Sequence, residues 1–508
     1  MRRRVFICGL AIICSVASVA RAQAGAGPQV KLAEGTLLGS RQGQVDAFLG
    51  IPYAAAPVGD NRWRAPQPVV HWTGIRDARS YAADCAQHLF PGDAAPLGTK
   101  PSEDCLYLNV WRPAAVKAGS KRPVMVWLHG GGFVNGGSSA PVYSGAAFAR
   151  DGVVLVSLNY RLGRFGFFAH PALMAEGGGG NFGFRDQIAA LEWVKTNIAA
   201  FGGDPANVTL FGESAGGISV HVLMTSPMAK GLFAKAIVQS GAGRGITDPT
   251  HVPTFAEALA AGERFSKPLG GAMSASGLRA LPADRVIGGL DMASMDAADY
   301  SGPMIDGETV IETPIDAYRA RRGAAVPLLL GTNSMDGFPF GGDKGQLFAA
   351  FGPRAAMAKA LYDPDGTRPV PLVATDLFAD RYMNEPTRAV ARILAPRQPV
   401  WLYRFDYVAS VMQKEWGGAP HASEIPFIFD TLNERYERAL TARDKQIAGW
   451  MHGAWIAFAR SSIPLTRGRS WTRFAHPSSD LNYISRDGVT VRQDPLAERL
   501  DFVEHSQR

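Results

Sequence analysis

No stretch of this chain constrains its fold more than Gly212-Glu213-Ser214-Ala215-Gly216. It follows the apolar run Val208–Phe211 at once, and a helix-compatible continuation opens near Ala215. Glycines two before and two after a serine remove the Cβ atoms that clash in a sharp strand-to-helix turn. Such a turn lifts the hydroxyl above the carboxyl edge of a sheet. It also aims the first N–H groups of the helix at charge developing there. With 57 glycines among 508 residues, the pentapeptide can also arise as an ordinary turn, so its context decides.

That context is an α/β pattern. Val124–Leu128, Val153–Leu158, Ala236–Val238, Pro327–Leu330 and Val400–Tyr403 are short apolar runs bounded mainly by polar residues or glycine. They read as strands buried on both faces of a mostly parallel sheet. Between them, Asp186–Asn197 places Ile188, Leu191 and Val194 at helical spacing. Residues 245–300 and 336–421 are too long for plain loops and are expected to hold helices that cap the sheet. Apolar residues are 46% of the chain and charged residues 19%, which excludes a disordered polymer.

A second glycine cluster, His129-Gly130-Gly131-Gly132-Phe133, follows the strand Val124–Leu128. Consecutive glycines let backbone N–H groups approach a substrate oxygen. Gly131 and Gly132, with Ala215, are the candidate oxyanion donors, and His129 is expected to shape the loop. A phosphate-binding loop is the competing reading, but the spacing departs from G-x-G-x-x-G.

The first residues read as an export signal. Arg2, Arg3 and Arg4 precede an apolar run from Val5 to Ala20, and Ala20-Arg21-Ala22 resembles a cleavage site. The expected division is therefore a signal peptide at residues 1–22 and one domain over residues 23–508, secreted or periplasmic. Arg3-Arg4-Val5-Phe6 is also faintly similar to a twin-arginine signal. The apolar run is short for a membrane span, and none is expected in the mature chain. The formal net charge is +7, and Arg2, Arg3, Arg4 and Arg21 fall in the leader. The mild remainder argues against a nucleic-acid partner. Cys8 and Cys14 leave with the leader. Cys85 and Cys105 are expected to pair as a disulfide worth roughly 3 kcal/mol in the chain-entropy model. A two-thiol metal site needs two further ligands, and only His88 lies between them.

The ordered motifs resemble the type-B carboxylesterases, the family related to cholinesterases. These motifs are Phe48-Leu49-Gly50-Ile51-Pro52-Tyr53, Ser102-Glu103-Asp104-Cys105-Leu106-Tyr107-Leu108-Asn109, Asn159-Tyr160-Arg161-Leu162-Gly163, Gly180-Asn181-Phe182-Gly183 and Phe201-Gly202-Gly203-Asp204-Pro205. The resemblance covers nearly the whole mature chain. It implies an α/β-hydrolase fold and a serine carboxylesterase acting on small-molecule esters through an acyl-enzyme. Neither metal nor organic cofactor is implied. Carried over by motif, the nucleophile is Ser214, the acid Asp336, where the family more often has Glu, and the base His421. The order Ser214, Asp336, His421 agrees with α/β hydrolases. Ser240 is expected to hydrogen-bond Asp336. Glu213 either tunes His421 or holds a water, with a structural role equally open. Arg62 with Glu103, and Arg161 with Asp186, resemble the family's buried ion pairs. Activity is expected to fall in acid, with a midpoint of roughly 6–7, as the base protonates.

Residues 86–104 hold no tryptophan, so a choline-ester preference is not expected. Phe133, Phe182 and Phe340 are placed equally well for a pocket lining or for core. Stoichiometric capture of a toxic ester or organophosphate is one competing function, and two others remain. One is amide or carbamate cleavage by the same residues. The other is a non-catalytic adhesion protein on the same fold, which typically loses the nucleophile that Ser214 provides here.

Overall fold

The computed structural model describes residues 27–270, 273–436, 440–478 and 480–506. The leader read at residues 1–22, with Cys8 and Cys14, lies outside the described residues. Eleven strands form the central sheet. In chain order they are β1 (Ser40–Gln42), β2 (Val45–Pro52), β3 (Tyr107–Pro113), β4 (Arg122–Leu128), β5 (Val154–Leu158), β6 (Gly203–Glu213), β7 (Lys235–Gln239), β8 (Leu328–Asn333), β9 (Val400–Phe405), β10 (Asp480–Ser485) and β11 (Gly488–Gln493). Across the sheet they run β11-β10-β9-β8-β7-β6-β4-β5-β3-β2-β1. From β5 to β10 every neighbouring pair is parallel. The pairs at both outer ends are antiparallel.

The apolar runs are continuous because both faces of this sheet are covered. Val124, Val126 and Leu128 enter one core, and Met125 and Trp127 enter the other. Leu328 and Leu330 part from Leu329 in the same way, as do Val400 and Leu402 from Trp401 and Tyr403. Side chains alternate across a strand, so a run with no polar break needs an apolar layer on each side. Helices α1 (Phe182–Asn197), α2 (Ala215–Thr225) and α5 (Glu385–Leu394) supply one layer. Helix α6 (Ala442–Ser461) supplies the other, through Ile447, Met451, Trp455 and Phe458. A capping box of Thr441 and Asp444 starts α6.

Helix α1 begins at Phe182, one turn earlier than the residue pattern predicts, because Phe182 and Phe184 are also buried. The two long insertions are helical. The first contains α3 (Phe255–Ser266). The second contains α4 (Val370–Phe378), joined to α5 through a π-helical segment at Ala379–Asn384. Among the described residues no helix is long and apolar enough to cross a membrane.

Cys85 and Cys105 form a disulfide. A bonded pair of sulfurs cannot serve as thiolate ligands, which closes the two-thiol metal alternative. The buried ion pairs are also present. Arg62 Nε and Nη2 donate to Glu103 at 2.5 and 2.6 Å. Arg161 donates to Asp186 through Nε and Nη2, both at 2.8 Å, and through its backbone N–H at 3.0 Å. Both partners of the second pair are almost wholly removed from water. Removing one charge from such a pair strands the other. Asp186→Asn is therefore expected to destabilise the fold by about 3–5 kcal/mol in chemical denaturation. Asp77→Asn, which breaks an exposed pair with Arg79, should leave the unfolding midpoint unchanged.

Candidate active site

The carboxyl ends of β4, β6, β7 and β8 lie side by side, which is where open α/β sheets collect their ligands. Ser214 follows β6 with φ 55° and ψ −124°. An L-residue adopts this conformation only when its surroundings dictate it. Here the Ser214 N–H donates to Gln239 O at 3.0 Å, and Ser214 O accepts from Ile218 N–H at 2.8 Å. A Cβ on Gly216 would lie 2.0 Å from Leu128 O, and one on Gly212 would lie 2.5 Å from Gly216 C. Both glycines of the pentapeptide are thus required by backbone packing.

The loop after β4 brings the second glycine cluster beside this turn. A Cβ on Gly130 would lie 2.8 Å from Glu213 Oε2 and 3.1 Å from Ser214 Cβ. Gly131 and Gly132 have φ values of 106° and 60°. Their N–H groups donate to no described residue, and Ala215 N–H opens α2 without an intrahelical acceptor. Three unspent donors therefore flank Ser214. His129 is buried, bonds Gly130 O through Nδ1 at 2.8 Å and stacks on Tyr160. Burial pushes its pKa down to about 4, so it stays neutral and braces the loop.

His421 and Asp336 meet although 85 residues separate them. His421 Nδ1 lies 2.6 Å from Asp336 Oδ1. Asp336 Oδ2 accepts from Ser240 Oγ at 2.6 Å and from Asn333 N–H at 3.0 Å. The two loops that carry Asp336 and His421 are stitched together. Met335 N–H donates to Ala419 O at 2.9 Å, and Asn333 Nδ2 donates to Pro420 O at 2.7 Å. His421 Nε2 lies 3.1 Å from Glu213 Oε1, yet it has no hydrogen-bond partner. No hydrogen bond joins it to Ser214 Oγ among the described residues, although both side chains line one cavity. Nucleophile–base bonds of this kind commonly tighten only with substrate bound.

Sequence reasoning passed over Glu424, three residues after His421. Its carboxylate is buried and accepts from Gln239 Nε2 at 3.0 Å and Asn333 Nδ2 at 2.6 Å. The available signal was one acid next to the apolar run Ile425–Phe429. Glu213, Asp336 and Glu424 thus surround one imidazole. Burial pushes the Glu213 carboxyl up to about 8. For His421, burial lowers the pKa, but the three carboxylates outweigh it and raise it to about 9.

The cavity above these groups measures about 280 Å³. Ser214, His421 and Gly131 line it, with Phe90, Phe338 and Trp416 on its walls. The Phe338 ring centroid lies 5.1 Å from that of His421. Phe133 and Phe182 are core residues, each 0% exposed, and Phe340 is 56% exposed. None of the three lines the cavity, because the first two pack into the core clusters.

Comparison with known proteins places the chain in a family. The carboxylesterase family pattern matches residues 26–346 and 368–503. The para-nitrobenzyl esterase of Bacillus subtilis (strain 168) is 36% identical over 482 residues, covering 92% of this chain and 96% of its own. The fumonisin B1 esterase of Sphingopyxis macrogoltabida is 36% identical over 475 residues, covering 88% and 85%. A solved thermophilic PNB esterase superposes with a TM-score of 0.82 at 33% identity, covering 94% of this chain and 99% of that one. The fold it shares with this chain is the α/β-hydrolase fold. The chain belongs to the carboxylesterase family, and hydrolysis of carboxylic esters is its reaction class.

Proposed function

We propose that this chain is an exported serine esterase in which Ser214, His421 and Asp336 hydrolyse small carboxylic esters through an acyl-enzyme. The observation that carries this reading is convergence. A strained serine, an imidazole oriented by a buried carboxylate and the loop glycine Gly131 border one cavity.

His421 removes the proton from Ser214 Oγ as it attacks the ester carbonyl. Asp336 accepts from Nδ1–H, fixes the tautomer and stabilises the imidazolium. The tetrahedral oxyanion accepts hydrogen bonds from Gly131, Gly132 and Ala215. His421 then protonates the departing alkoxide. Water, deprotonated by the same imidazole, cleaves the acyl-enzyme and regenerates Ser214. Glu213 acts on the base electrostatically: once ionised, it favours the imidazolium.

Ser214→Ala is expected to lower kcat on a short-chain 4-nitrophenyl ester by about 10⁵–10⁶. Retention of a few per cent of the activity contradicts the assignment. The pH profile gives a second test. Only neutral His421 accepts the Ser214 proton, so activity is lost as pH falls through its pKa. Carboxylates raise that pKa, so the acid limb of kcat/KM should lie above the imidazole value of 6.5. Glu213→Gln removes one of them and should move the limb down by ~1–2 units. An unmoved or upward-shifted limb contradicts the role given to Glu213.

Export is supported by the leader-like first 22 residues and agrees with the Cys85–Cys105 disulfide. Exported protein should begin at Gln23. N-terminal sequencing that finds Met1 retained overturns this part of the proposal.

A further inference from the structure

Among the described residues, the guanidinium groups most fully withdrawn from water are paired with carboxylates. Arg161 meets Asp186 at 2.8 Å, Arg388 meets Asp501 at 2.8 Å and Arg404 meets Asp494 at 3.3 Å. Arg244 holds Glu385 in a fork, with Nε–Oε2 at 2.5 Å. The cost of desolvating a cation explains the pattern, since only a partner charge offsets it.

Arg435 has no such partner among the described residues. This residue is half-buried and lines the same cavity as Ser214 and His421. It forms no ion pair or hydrogen bond with any described residue. The backbone that carries it is held firmly. Arg435 ends the short helical turn Leu432–Arg435, whose Leu432 is buried in the core. Just before that turn, Thr431 Oγ1 donates to Val142 O at 2.8 Å. Just after it, the Tyr436 ring packs near Trp416, another cavity residue. Phe90, Phe338 and Trp416 on the remaining wall offer the guanidinium no side-chain acceptor. Two acids also face the cavity, Glu213 and Asp93. Asp93 Oδ1 accepts from Ala95 N–H at 2.9 Å, and neither acid pairs with Arg435.

We propose that Arg435 is a specificity-determining residue that binds a free carboxylate on the substrate, so that the esters this site favours carry a second, unesterified acid group. The inference rests on the esterase reading and names its substrate class. The planar fork of a guanidinium matches a carboxylate bidentately, and apolar walls strengthen the contact by excluding water. A neutral ester leaves Arg435 unpaired in the occupied cavity. The carboxylate can sit on the acyl part or on the alcohol part, and matched substrates separate these.

The test compares two pairs of esters on the wild-type enzyme and Arg435→Gln. Mono-4-nitrophenyl glutarate against 4-nitrophenyl pentanoate places the acid on the acyl side. 4-Acetoxybenzoate against methyl 4-acetoxybenzoate places it on the alcohol side. In at least one pair, Arg435→Gln should lower kcat/KM for the anionic ester by ~10–100-fold, mainly through KM, and change the neutral ester less than about twofold. Arg435→Lys should restore part of the loss. Equal effects on anionic and neutral esters in both pairs overturn the proposal. Failure of the wild-type enzyme to hydrolyse any of the four overturns the esterase reading instead, so the two failures are distinct.

Discussion

The backbone turn at Ser214 is the constraint on which the site depends. Its dihedral angles of 55° and −124° are held by a bond to the neighbouring strand and by glycines pressed against backbone on both sides. A side chain at Gly216 would meet Leu128 O, at the end of β4, and Leu128 leads straight into the loop that carries Gly131 and Gly132. One close approach of two adjacent strand ends thus sets where the hydroxyl points and where the N–H donors stand. The strain is local, and the parallel sheet that imposes it is covered by apolar layers on both faces.

Around that turn the chain gathers negative charge next to a single imidazole. Three buried carboxylates are costly unless each is bonded or neutralised. Asp336 is satisfied by His421, Ser240 and Asn333, and Glu424 by Gln239 and Asn333. Glu213 has no comparable donors, which is why burial pushes its carboxyl up so far. Bonds between the loops after β8 and β9 hold Asp336 and His421 within hydrogen-bond distance of each other.

Much of this was legible in the residues. Unbroken apolar runs such as Val124–Leu128 can only be buried on both faces, and glycine spacing around Ser214 encodes a backbone geometry. The identity of base and acid was not local, since ten histidines compete and only motif resemblance singles out His421. Glu424 escaped notice because a buried carboxylate is recognised by its donors, and those lie on two distant strands. The aromatic lining stayed open in the sequence for a related reason. Phe133 and Phe182 sit beside motif residues in sequence, but both are buried in the core, Phe133 from a turn and Phe182 from the first turn of α1, while Phe338 and Trp416 arrive from the loops near Asp336 and His421.

Covalent labelling tests the central claim most directly. Treating the purified protein with a fluorophosphonate and mapping the adduct by peptide mass spectrometry asks which oxygen the fold has made nucleophilic. The account predicts one label per chain, on Ser214, with its rate falling as the solution is acidified through the titration of His421. A label on another residue, or none at all on folded protein, would contradict it.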